Sequence, residues 1–144
     1  MPPGPQLCAV LATIDRSRLS SEDLCEFTAA RYRLLAYVNA EFLSDLFETG
    51  LAAHEPAGSL TRAGDYKDRA GEQIAWELAV SSSYAEGQLL LGRQLARRLP
   101  NVGQALREGR IDYGKANAFV DALYDVDDDD VARAIETFIL EPAS

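Results

Sequence analysis

From Glu22 to Thr49 the chain contains neither proline nor glycine, the two residues that most readily end or kink a helix. Leu24, Phe27, Leu34, Leu35, Val38, Phe42, Leu46 and Phe47 recur along it at helical spacing. The spacing predicts one helix about 40 Å long, at about 1.5 Å per residue. Ser20 or Ser21 is placed to cap it, and Glu22 and Asp23 in its first turn complement the helix dipole. A periodic run longer than about 25 residues calls for a helical partner. Packing within the chain is the favoured reading, and a homodimer through the long helix is the alternative. Either way the fold class is set: an all-α, multi-helix bundle.

The rest of the chain supplies shorter helices. Gln6–Ile14 is predicted helical, with Leu7, Val10, Leu11 and Ile14 on one face. Glu55–Asp65 holds Pro56, Gly58, Ser59 and Gly64 and reads as a loop, with Tyr66–Arg69 leading out of it. Ile74, Ala75, Leu78 and Ala79 then mark a short amphipathic helix over Glu72–Ala79. Ser81, Ser82 and Ser83 interrupt it, because serine side chains compete for backbone hydrogen bonds. Ser83 and Glu86 have the spacing of a capping box for the next helix, which carries Leu89, Leu90, Leu91, Leu95 and Leu99 and stops at Pro100. Asn101 and Gln104 have the same capping spacing, and Gly109 suits a left-handed C-terminal position. Asp112 caps a further helix, with Ala116, Phe119, Val120 and Leu123 as its buried stripe. Asp127–Asp130 precede a last helix carrying Val131, Ile135, Phe138 and Ile139. The expected organisation is a single domain. Residues 1–54 form N-terminal helices, 55–68 a loop, 69–124 a helix-turn-helix-like block, and 125–144 an acid-capped helix.

A short helix, a tight turn and a longer helix is the layout that places a second helix in the major groove. On that reading Ser81, Ser83, Tyr84 and Gln88 lie nearest the bases, while Arg93, Arg97, Arg98, Arg110 and Lys115 reach phosphates. The plainer reading is a helical hairpin with solvated arginines.

The stretch Ala105–Leu123, following "GEQIAWELAVSSSYAEGQLLLGRQLARRLP", together with the opening "PGPQLCAVLATIDRSRLSSEDLCEF", resembles the actinobacterial domain of unknown function 222, or thirteen-E-twelve repeat, family. The central block is also similar to the helix-turn-helix of partition proteins, through Ile74, Leu78, Val80, Ser81, Ser83, Tyr84, Leu106, Glu108, Gly109, Ile111 and Ala116. Where partition proteins usually place an arginine in the recognition helix, this chain has Glu86 and Gly87. The resemblance implies a helical region often followed by an HNH nuclease domain. One histidine, His54, and two cysteines are too few for an HNH metal site within this chain. The implied role is therefore a non-catalytic accessory domain.

Composition bounds the alternatives. The net charge is −9, which disfavours nucleic acid, but it is unevenly spread. Residues 1–61 carry −4, residues 62–115 carry +2 and residues 116–144 carry −7, so the only basic segment is the helix-turn-helix-like one. No apolar run approaches bilayer length, and the first residues lack the basic character of a signal peptide, so a cytoplasmic protein is expected. Cys8 and Cys25 form no CxxC pair and are expected to be buried, reduced thiols. His54 has no ligand or base partner and is expected in an exposed loop. Asp125, Asp127, Asp129 and Glu136 match four positions of a calcium loop, but Asp130 stands where the loop needs glycine and Arg133 where it needs a ligand. Helix capping explains those aspartates instead.

No nucleophile–base pair, phosphate loop or metal cluster is visible in the sequence. The expectation is a non-enzyme with no cofactor, no metal and no small-molecule substrate. Double-stranded DNA is the first candidate partner. A protein-interaction or dimerisation scaffold is the alternative.

Overall fold

The Ser20 hydroxyl accepts a hydrogen bond from the Asp23 amide at 3.1 Å and starts the longest helix, α2 (Ser21–Ala53). Before it lies α1 (Pro5–Ala12), joined through a 3-10 turn at Arg16–Arg18 that the Asp15 carboxylate caps. After it come α3 (Ala63–Leu78), α4 (Ser82–Arg93), α5 (Pro100–Arg107), α6 (Tyr113–Leu123) and α7 (Asp129–Leu140). The computed structural model describes residues 1–53 and 63–141, with side chains described for 1–51 and 70–141. Among the described residues there is no strand, so the all-α bundle expected from the sequence is the fold. His54 and most of the expected 55–68 loop lie outside the described residues. Gly64, Asp65 and Tyr66–Arg69 belong to α3, which begins well before Glu72.

Two apolar clusters hold α2 on different sides. Phe27 and Leu34 pack with Leu7 and Leu11 of α1. Ala36, Ala40, Leu43 and Leu46 face the main core, where α3, α4 and α5 lie against α2. Serving two partners turns the buried stripe around the helix, so Leu24, Leu35 and Val38, expected inside, are exposed. In α1 only Leu7 and Leu11 are buried; Val10 is exposed within the helix, and Ile14 is exposed beyond its end at Ala12. In α7, Ala132, Glu136 and Leu140 are buried and Ile135 is half-buried, whereas Val131, Phe138 and Ile139 face solvent. Cys8 and Cys25 are both exposed, contrary to the expected burial.

The middle of the core departs from regular α-helix. Gln94–Arg98 forms a single π-helical turn, closed by a 2.7 Å bond from the Leu99 amide to the Gln94 carbonyl. The helix expected to run to Pro100 thus changes pitch first. Pro100 opens α5 rather than stopping α4, in the first-turn position where its missing N–H costs no bond. Asn101 does not cap α5; its amide donates to Thr137 Oγ1 at 3.2 Å. The acceptor comes from another helix. Glu136 of α7 is fully buried, and its Oε1 accepts the Val102 amide at 2.8 Å. Leu99, Val102, Ala105 and Leu106 surround this point without solvent exposure. That placement also removes Glu136 from any calcium loop, and Asp129 is taken by Arg98 at 3.0 Å.

Close approach is set by one glycine. A Cβ at Gly92 would stand 2.7 Å from the Leu43 carbonyl oxygen, so α4 can lie against α2 only without a side chain there. Gly92→Ala should lower unfolding free energy by about 1–3 kcal/mol in urea titration, despite alanine's better helix propensity.

Burial pushes the Glu136 carboxyl above its ordinary pKa of 4.5, against the lowering influence of the Val102 and Asn101 amides and of Arg133. Between 4.5 and the raised folded value, the native state keeps a proton that the unfolded chain has released. This group's contribution to stability is therefore present at low pH and falls as pH rises through that window. Glu136→Gln should abolish that part of the decline, read as the difference between the two proteins' urea midpoints across a pH series. Glu136→Ala leaves the Val102 amide buried without its acceptor and should cost about 1–3 kcal/mol.

Candidate functional site

The junction of α3 and α4 is built by local chemistry. The Val80 amide bonds the Ala75 carbonyl at 2.9 Å and the Ala79 amide bonds the Trp76 carbonyl at 3.2 Å, the paired pattern that closes a helix C-terminus. Ala79 takes the left-handed conformation that this closure needs, with φ of 54°. Val80 then packs against the core, and the Ser81 hydroxyl accepts the Tyr84 amide at 3.1 Å to start α4. Ser81, not Ser83, is thus the cap. Glu86 is not part of a capping box: its side chain lies over Gly71 of α3, 2.9 Å from where a Cβ there would be.

Apart from the buried Ala85, the first half of α4 faces outward. Ser82, Ser83, Tyr84, Glu86 and Gly87 are exposed, while Leu89, Leu91, Gly92 and the following Leu95 are buried. Of the residues expected near bases, Ser81, Ser83 and Tyr84 are at this outer end. Gln88 is half-buried, and its Nε2 donates to the Tyr113 hydroxyl at 2.6 Å.

The cations expected on phosphates are spread over several structural tasks. Arg98 is a tie between elements: its side chain is 11% exposed, Nε meets Asp129 and Nη1 donates to the Leu123 carbonyl at 2.7 Å. Arg97 is exposed and lies over the Phe47 ring of α2 at 5.2 Å. Arg110 pairs with Glu108 at 2.7 Å, pulling that carboxyl below its usual range together with Gln104, whose hydrogen bond is the larger cause. Arg93 is half-buried on α4, and Lys115 is exposed on α6. These groups do not converge on the outer end of α4.

What gathers there is apolar and acidic. Trp76 is 83% exposed, and Leu78 and Tyr84 are about half exposed. A groove beside the indole is lined by Glu72, Ala75, Trp76, Ala79, Val80 and Ser82. Glu77 and Glu86 are exposed on the same two helices. No cation lines the groove among the described residues.

The family model for "Domain of unknown function (DUF222)" matches residues 23–139, from the first turn of α2 to the last turn of α7. The chain belongs to the DUF222 family. No curated protein and no solved structure matches it. Among the described residues of this DUF222 chain, no group of three or more His, Cys, Asp or Glu side chains is placed to hold a metal ion. No helix described is long and apolar enough to cross a membrane.

Trp76 is the residue that the sequence pattern passed over. It lies outside the Ile74, Ala75 and Leu78 spacing, and of those three only Ile74 and Ala75 are buried. An aromatic residue off the apolar stripe of a helix is the signal that marks it. The left-handed Ala79 gives a direct check on the corner itself. Ala79→Gly should raise stability by about 0.5–1 kcal/mol in urea titration, since glycine reaches φ above zero without strain.

Proposed function

We propose that the chain is a non-catalytic interaction module that docks a cationic, partly apolar protein segment in the groove beside Trp76. The observation that carries this is the indole itself, 83% exposed at a corner otherwise built of closed, well-capped backbone. Exposed tryptophan with apolar neighbours is the usual anchor of a protein interface. Glu72, Glu77 and Glu86 make the surroundings negative and select a basic partner. The exposed Leu24, Tyr32, Leu35 and Val38 on α2 support self-association as a second part of the same scaffold role, which light scattering would reveal as a dimer.

A second reading, duplex DNA bound through α4, is supported by the three-residue turn and by the outward Ser81, Ser83 and Tyr84. It is opposed by the glutamates on the same corner and by the internal engagement of Arg98 and Gln88.

Trp76 is the only tryptophan of the chain, so its emission reports the groove alone. A helical leucine–lysine peptide should shift that emission to the blue, and its leucine–glutamate counterpart should not. Peptide binding should weaken with salt, and Trp76→Ala should weaken it about thirtyfold or more, followed by calorimetry. Equal response to both peptides, or to neither, defeats the proposal. Salt-dependent binding of duplex DNA in fluorescence anisotropy, lost in Arg93→Ala/Arg97→Ala, would favour the second reading.

A further inference from the structure

The Glu108-Gly109-Arg110-Ile111-Asp112 segment joins α5 to α6 and turns back against α2. Gly109 closes α5 with φ of 73°, and the Arg110 amide bonds the Ala105 carbonyl at 2.9 Å. A Cβ at Gly109 would stand 2.9 Å from Arg33 Cβ, so the bare backbone here is what lets the Arg33 stem lie against the corner. Between the two lies a small cleft whose polar lining is Tyr32, Arg33, Arg110, Asp112 and Lys115. Its apolar wall includes Ala36 and Ile111, both buried.

Three cationic residues from two segments distant in sequence thus line one cleft. Arg33 and Lys115 are exposed, and neither enters an ion pair among the described residues. Arg110 meets Glu108 through Nε, and no bond occupies its two terminal nitrogens among the described residues. The one carboxylate of the lining is already committed: Asp112 Oδ2 accepts the Tyr32 hydroxyl at 2.7 Å and Oδ1 accepts the Lys115 amide at 2.8 Å. The three cations outnumber the two carboxylates beside them, Asp112 and the Glu108 paired with Arg110, and guanidinium groups suit oxyanions because they offer fixed, charge-assisted donors. The cleft volume, about 210 Å³, lies below the range of pockets for drug-sized ligands and suits one small anion.

We propose that this cleft binds a single phosphate-sized oxyanion, held by Arg33, Arg110 and Lys115. The ligand class is free phosphate or the phosphate end of a small monoester. The site is separate from the Trp76 groove and does not depend on it.

The test is a titration of the full chain, labelled with nitrogen-15, with inorganic phosphate and with methyl phosphate, each against sodium chloride at matched ionic strength. Saturable shifts confined to the amides of 109–115 and their α2 neighbours support the site. Arg33→Ala/Lys115→Ala should weaken binding by at least about tenfold, the loss expected for removed charge-assisted bonds. Both side chains are exposed, so amide signals elsewhere should be unmoved in that variant. Methyl phosphate binding as tightly as inorganic phosphate assigns the site to monoesters; its failure to bind assigns it to free phosphate. Shifts that do not saturate, that sodium chloride reproduces, or that persist in the double variant overturn the proposal.

Discussion

The bond from the Val102 amide to Glu136 is the interaction on which the packing of the second half of the chain depends. A helix start buried in a core leaves amides that water cannot reach. Leu99 offers no capping side chain to α5, and Pro100 removes only one of the donors. The acceptor is supplied by α7, so α5 cannot be fully satisfied until α7 has docked. Burial of a carboxyl is costly, and Oε2 has no partner among the described residues, which is why this group is held toward its neutral form. The arrangement links two helices through chemistry rather than through apolar contact alone. It also sits where Leu99, Val102, Ala105, Leu106 and Ala132 are closed to solvent.

Charge is used inward in this protein. The basic segment stands out in the sequence, yet in the fold Arg97, Arg98 and Arg107 join helices to one another. Arg98 ties the π turn to α6 and α7, and Arg107 binds Glu41 and Ser44 of α2. Arg133 of α7 returns the contact by donating to the Arg97 carbonyl at 3.1 Å. Among the described residues, the positive balance of the segment therefore gives no positive surface at the α3–α4 corner, where Glu72, Glu77 and Glu86 are exposed. Arg33 and Lys115, which enter no ion pair among the described residues, line the joint between α2 and the α5–α6 connection together with Arg110.

How much of this could be read from the residues depended on how local each determinant was. Gly109 and Asp112 were legible because a C-terminal glycine and an N-cap aspartate act within a few positions of themselves. The long helix was legible because nothing interrupts it. The correct cap of α4 was not, because three serines compete and the left-handed turn at Ala79, which has no glycine to announce it, selects Ser81. Leu35 and Val38 fit a helical stripe, but periodicity cannot say that two different partners share one helix and leave that side open. Glu136 was unreadable as a cap, since its amide partner is 34 positions away. Family membership was recognisable from motif and spacing; the acidic, aromatic character of the corner required the fold.

The π turn at Gln94–Arg98 acts as a phase shifter between the two halves of the domain. It adds part of a residue to one turn, so side chains beyond it are rotated relative to those of α4. Within the turn Arg97 lies over Phe47 while its neighbour Arg98 meets Asp129 and Leu123. Length here is thus a quantity that the fold counts. One residue more or less in this turn would re-aim α5, and everything docked on it, at once.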